Sequence, residues 1–153
     1  MEKIELCSFS EEMLGEVTAI ERESFSCPWS SDSLRQAGEM DNSIFLTVRC
    51  NGTIAGFGCI LLVAGEGELV DIAVSPAYRK KGLGQMLMTA LLEEARNKGT
   101  ETLYLEVRQS NTPARSLYEK NGFKAIGIRK KYYKDPVEDA VLMCCGLHPA
   151  ETV

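Results

Sequence analysis

Several things are scarce in this chain of 153 residues. No apolar run approaches the roughly 20 residues that cross a bilayer. The amino terminus, MEKIELCSFSEEM, has neither the basic start nor the apolar stretch of a secretory signal. Membrane insertion and export are therefore not expected, and a cytoplasmic location is. Positive charge is short: 17 Lys and Arg stand against 22 Asp and Glu, a formal net charge of -5. Neutralising a phosphate backbone needs the opposite surplus, so no direct nucleic-acid binding is expected and a basic partner fits better. Histidine occurs once, as His148 in the tail, where it reads as a bystander. The six cysteines (Cys7, Cys27, Cys50, Cys59, Cys144, Cys145) form no CxxC pair, so no metal site is expected. They read as small core residues in a reducing compartment; Cys144 and Cys145 on a strand would point to opposite faces, far from disulfide geometry.

What is present is the length of one globular domain, with no repeats, low-complexity segments or linkers, so residues 1–153 are expected to form a single domain. Residues 3 to 9 alternate as a short strand. Ser10-Glu11-Glu12 then starts a helix to about residue 24, with Met13, Leu14, Val17 and Ile20 on its apolar face. Cys27-Pro28-Trp29-Ser30 interrupts it, and Ser30 or Ser31 caps a second helix through Leu34 and Ala37. Two strands, Ile44 to Arg49 and Ile54 to Val63, meet at Asn51-Gly52, a dipeptide that accepts positive φ. A third strand, Glu68 to Val74, follows a Gly65-Glu66-Gly67 turn and stops at Ser75-Pro76. Leu83, Leu87, Ala90, Leu91 and Ala95 recur at helical spacing until Gly99. A strand from Thr102 to Val107, a helix from Pro113 to Asn121, and strands at Phe123–Arg129 and Ala140–Cys145 complete the order β-αα-βββ-α-β-α-ββ.

The sharpest local feature is RKKGLG at residues 79–84, where a strand feeds a long helix. Unpaired backbone N–H groups at a helix start, the positive end of its dipole and three cations converge there. Gly82 and Gly84 let the main chain approach an anion, and Arg79, Lys80 and Lys81 add charge around it. A pyrophosphate suits such a point; a solvated basic turn is the plain alternative. The run lacks the Gly-Lys-Ser/Thr of a Walker loop and the GxGxxG of a dinucleotide fold, so neither nucleotide class applies.

Read with the preceding strand DIAVSPAYR, this turn resembles the Arg/Gln-x-x-Gly-x-Gly/Ala element of the GNAT superfamily of N-acetyltransferases. LEVRQSNTPARSLYEKNGF resembles the next segment of that superfamily. RKKYYKDPVEDAVLM and SFSCPWS are similar to the bacterial RimI group, the ribosomal-protein-alanine N-acetyltransferases. The resemblance spans nearly the whole chain. It implies the GNAT fold, an α/β (α+β mixed) domain with a central, mostly antiparallel sheet of about seven strands flanked by about four helices.

It also implies acetyl-CoA as cosubstrate and the N-terminal peptide of a ribosomal protein as partner, in particular the N-terminal alanine of the eighteenth small-subunit protein. A monomer or weak dimer is expected. The resemblance gives the main chain of Ile72, Ala73 and Val74 to the pantetheine arm and thioester. It gives Arg79, Lys80, Lys81, Gly82, Leu83, Gly84 and Gln85 to the pyrophosphate, and Asn111 to the cofactor further along. Glu106 becomes the general base and Tyr118 the general acid, in a direct transfer through a ternary complex.

The chemistry is consistent with those roles. A terminal α-amine titrates at about 7.7–8.0, so its base has modest work to do. Without the resemblance, Glu106 reads equally as a strand Glu paired with a nearby cation, and Tyr118 as a packed aromatic beside Leu117 and Phe123. Glu21, Glu23, Glu68 and Asp71 are further carboxylates able to act through water; Glu68 is the second choice, while Glu21 and Glu23 read as the solvated face of a helix. Trp29, Tyr132 and Tyr133 fall in expected loops and can line a peptide groove, with Trp29 also fitting a core position. Acetylation of lysine side chains or small amines, or a non-catalytic acyl-CoA-binding module, are the alternative functions.

Overall fold

The computed structural model describes residues 2–147, in which seven strands form one sheet. His148 lies outside the described residues. The elements are β1 (Ile4–Ser8), α1 (Leu14–Ser24), α2 (Ser31–Glu39), β2 (Ser43–Cys50), β3 (Thr53–Val63), β4 (Glu66–Val74), α3 (Leu83–Asn97), β5 (Thr102–Arg108), α4 (Thr112–Lys120), β6 (Lys124–Tyr133) and β7 (Glu138–Gly146). The strand order is β1-β2-β3-β4-β5-β7-β6, antiparallel throughout except at β4 and β5. Type and order of the elements follow the sequence pattern, and no helix among the described residues is long and apolar enough to cross a membrane.

Alternation along β2 and β3 decides which helices cover which face. Phe45 and Phe57 pack with Met13, Val17, Ile20 and Leu34 of the α1–α2 side, while Val48 packs with Leu83 and Leu87 of α3. Both faces of β3 are covered, so its run Ile54–Ile60 is buried without a break. Gly58 is required by closeness: a Cβ there would lie 2.6 Å from Leu91 Cδ1 of α3. Ser30 caps α2 by accepting a hydrogen bond from the Ser33 N–H, as its sequence position implies.

Two boundaries differ from the sequence expectation. The turn before β4 is Ala64-Gly65, both at positive φ, so Glu66 and Gly67 belong to the strand. Gly67 there lies close against Leu103, 2.6 Å from where its Cβ would stand, which explains a glycine that turn chemistry had claimed. Tyr132 and Tyr133 end strand β6 instead of lying in a loop, because Tyr133 pairs with Glu138 across a hairpin whose ladder is interrupted after Arg129. All six cysteines are free, with Cys145 buried and Cys144 half-buried on the opposite face of β7.

The feature that makes a site is the junction of β4 and β5. Their parallel pairing covers Glu66↔Thr102, Gly67↔Leu103 and Glu68↔Tyr104 and goes no further. Immediately beyond, Val70 is an extra residue in the ladder between β3 and β4, where the register slips between Cys59/Asp71 and Ile60/Leu69. Such a bulge bends and twists its strand. From Val70 onward β4 follows β3, β5 follows β7, and a wedge opens between them.

Candidate active site

Two cavities occupy that wedge. The larger, about 540 Å³, runs along the edge of β4 past Ile72, Ala73 and Val74 to Arg79, Lys80, Gly82, Leu83 and Gly84, with Asn111, Leu117 and Tyr118 opposite. This volume lies within the roughly 300–1,000 Å³ typical of small-molecule clefts. The smaller, about 170 Å³, is bounded by the α1–α2 loop, β4 and β5, with Trp29, Asp71, Glu106, Arg108 and Tyr133 among its walls. Phe25, Ile72, Asn111 and Tyr118 border both.

The larger cavity offers unpaired main-chain groups along one wall and a helix start at its end. Beyond Glu68, β4 has no strand on its β5 side, so main-chain groups of Ile72–Val74 facing that way are available to a ligand. Gly82, at φ +79, caps α3 in a conformation few other residues accept, and the first helical bond runs from the Met86 N–H to the Gly82 carbonyl. The N–H groups of Leu83, Gly84 and Gln85 therefore remain for an anion. Arg79 donates from Nε to the Val74 carbonyl at 3.0 Å, which folds its side chain along the strand end.

Three residues in the expected cofactor set are placed differently by their side chains. The Lys81 ammonium is paired with Glu2 at 2.6 Å and sits 5.7 Å from the Tyr78 ring, outside the cavity lining. The Gln85 amide is engaged with Asn121, so only its backbone faces the helix start. The Asn111 side chain caps α4 by accepting from the Ala114 N–H at 3.3 Å, while the residue borders both cavities.

Tyr118 is buried, packs edge-on to Phe123, and has no protein partner for its hydroxyl among the described residues. Burial, then the nearby charges of Asp71 and Tyr133, raise its pKa far above the ordinary phenol value, so it stays a proton donor at any physiological pH. Glu106 lines the smaller cavity and pairs with Arg129 Nε at 3.5 Å. The ion pair foreseen as the plain reading of Glu106 is thus present, and it coexists with the cavity position. The neighbouring Glu106 carboxylate raises the pKa of Tyr132. Glu68 neighbours Glu106, and burial followed by that charge raises its pKa; the two line a further pocket with Tyr104, Ile126 and Arg129.

Sequence reasoning missed two features here. Glu21, expected on a solvated helix face, is 1% exposed and accepts a hydrogen bond from the Trp29 N–H at 2.9 Å. Its position one residue after buried Ile20 placed it at the edge of the apolar stripe, a weak signal that the helix pattern alone does not resolve. Arg108 was not singled out either. Its guanidinium donates to Ser26 Oγ and to the Lys134 and Pro136 carbonyls, pairs with Glu138, and lies 4.6 Å from the Tyr133 ring centre. One side chain therefore ties the α1–α2 loop to the β6–β7 hairpin across the smaller cavity.

A splayed parallel strand pair with a glycine-started helix at the gap forms a groove open to an extended ligand. The profile of the acetyltransferase (GNAT) family matches residues 14–123. The chain belongs to that family, and it is an acetyltransferase whose acyl donor is acetyl-CoA. The ribosomal protein bS18-alanine N-acetyltransferase of Haemophilus influenzae is 40% identical over 148 residues, covering 95% of this chain and 97% of that one. The enzyme of the same name from Escherichia coli K12 is 40% identical over 127 residues, 81% of this chain and 84% of that one. The crystal structure of the Escherichia coli ribosomal-protein-S18-alanine N-acetyltransferase superposes with a TM-score of 0.88 at 34% identity, covering 99% of this chain and 97% of that one.

Proposed function

We propose that this protein acetylates the α-amine of a protein N-terminus, the client being the N-terminal alanine of the eighteenth small-subunit ribosomal protein. The observation that carries the reading is the position of Tyr118, which borders both cavities while Glu106 borders only the smaller one. Donor and acceptor then enter from opposite sides and meet at the tyrosine. The names of the relatives supply the client, and the smaller cavity suits it: Glu106 lines it, while the charge of Arg108, the cation on its wall, is already engaged by Glu138. An incoming ammonium finds a negative wall.

In this mechanism the larger cavity holds acetyl-CoA, its pantetheine amides along Ile72–Val74 and its pyrophosphate at residues 79–85. Glu106, directly or through a water, takes a proton from the acceptor ammonium. The free amine attacks the thioester carbonyl; the C–N bond forms, the C–S bond breaks, Tyr118 gives its proton to the departing thiolate, and the second proton shed by the nitrogen restores the tyrosine, directly or through solvent. Main-chain N–H groups near Val74 stabilise the charge that develops on the carbonyl oxygen.

The test is mass spectrometry after incubation with acetyl-CoA and a peptide bearing the client's N-terminal sequence. Addition of one acetyl group to the α-amine is expected, and none to the same peptide with a blocked terminus and a free lysine. Acetylation of the blocked peptide at an equal rate would replace the α-amine reading with a lysine one.

A further inference from the structure

Glu21 and Asp71 face each other at the back of the smaller cavity with an unusual hydrogen-bond account. Glu21 Oε2 accepts a hydrogen bond from the Trp29 N–H at 2.9 Å, and the Ile72 amide beside the Asp71 carboxyl favours its charged form. Glu21 Oε1 and Asp71 Oδ2 are buried without a protein donor. Glu21 is 1% exposed and Asp71 8% exposed, neither takes part in an ion pair among the described residues, and no third ligating side chain joins them to make a cation site there. Two ionised carboxylates cannot persist so placed. One proton between the two orphaned oxygens satisfies both.

We propose that Glu21 and Asp71 share a single proton, and that this carboxyl–carboxylate bridge is a positioning element that fixes the α1–α2 loop to β4. The bridge has a free partner at neither end: it is closed by Trp29 on one side and Ile72 on the other. It therefore holds the backbone of the acceptor wall at Trp29 in register with the start of the donor edge at Ile72. Neither residue touches the reacting atoms in this account. The proposal rests on the reading of the smaller cavity as the acceptor site.

Burial is the main cause that raises the Asp71 carboxyl far above the usual carboxylate range, followed by the hydrogen bond to Glu21 and its charge, with the Ile72 amide opposing them. The ionisable groups around the pair are Cys59 on β3, Tyr118 on α4, and Glu106, Arg108, Cys27 and Tyr133 across the cavity. The linkage sign is unfavourable at neutral pH. The folded protein keeps a proton that the unfolded chain releases at about pH 4, so stability falls as pH rises from there toward the raised folded value.

Asp71→Asn replaces the shared proton with a permanent amide donor. It should melt at a higher temperature than the wild type at neutral pH, with the difference vanishing at about pH 4, and its acceptor KM should stay within about twofold of wild type. Asp71→Ala breaks the bridge and should raise the acceptor KM about tenfold or more while leaving the acetyl-CoA Kd unchanged. Infrared spectroscopy of the folded wild type at neutral pH should show the carbonyl stretch of a protonated carboxyl that Asp71→Asn and Glu21→Gln both lose. A wild type lacking that band, or Asp71→Asn no more stable than wild type at neutral pH, overturns the shared proton. A folded Asp71→Ala with unchanged acceptor KM overturns the positioning role. Should the wild type acetylate no α-amine, the functional reading fails while the band and the melting comparison still decide the bridge.

Discussion

Gln85 and Asn121 exchange two side-chain amide hydrogen bonds, at 2.7 and 2.9 Å, and so clamp the first turn of α3 to the end of α4. Asn121 Nδ2 also donates to the Leu117 carbonyl at 2.8 Å. The clamp joins the start of α3, which borders the larger cavity, to the helix that carries Tyr118. Because each amide leaves the other unpaired when removed, Gln85→Ala and Asn121→Ala should each cost about 1–3 kcal/mol. In urea titrations the double variant should cost less than the sum of the two; strict additivity would mean that the clamp contributes nothing as a pair.

Glu106→Gln should lower kcat by about 10²–10⁴-fold, the usual contribution of a general base. The loss should be greatest at low pH, where the acceptor is mostly ammonium. Glu106 lies outside the donor groove, so the acetyl-CoA Kd should not move. Turnover equal to wild type at every pH would transfer the base role to Glu68 or to solvent.

Tyr118→Phe removes a hydroxyl that has no protein partner among the described residues, so unfolding free energy should change by no more than about 0.5 kcal/mol. The kcat should nevertheless fall by about 10²-fold or more. With its folded pKa raised above the unfolded value of about 10, Tyr118 stabilises the fold below that pH and loses the contribution only as pH rises further. An ultraviolet titration should accordingly show two tyrosines that ionise late, Tyr118 and Tyr133, both raised chiefly by burial, and Tyr118→Phe should leave only one of them.

Gly84→Leu should weaken acetyl-CoA binding at least about tenfold by filling the groove. A Cβ at Gly84 would only touch Leu117 at 3.6 Å and Val74 at 3.9 Å, so Gly84→Ala should fold normally and bind. Gly82→Ala has open space around its Cβ but a φ of +79, and should cost about 1–2 kcal/mol in stability. Isothermal titration with acetyl-CoA and thermal melts separate the two effects; a Gly84→Leu variant with wild-type affinity would move the pyrophosphate elsewhere.

Sequence by itself determined the order and type of the elements. Period-3.6 repeats such as Leu83-Leu87-Leu91 and turn dipeptides such as Asn51-Gly52 act over a few residues and can be read locally. It also determined the glycine-started end of α3, since Gly82 and the freed N–H groups behind it are neighbours in the chain. Only the tertiary structure decided where β4 and β5 part, because that depends on a one-residue slip at Val70 between two strands. It alone turned Lys81 away toward Glu2, 79 positions distant, and brought Glu21 of α1 against Asp71 of β4. Burial and partnership across such distances are properties of packing, and no local pattern carries them.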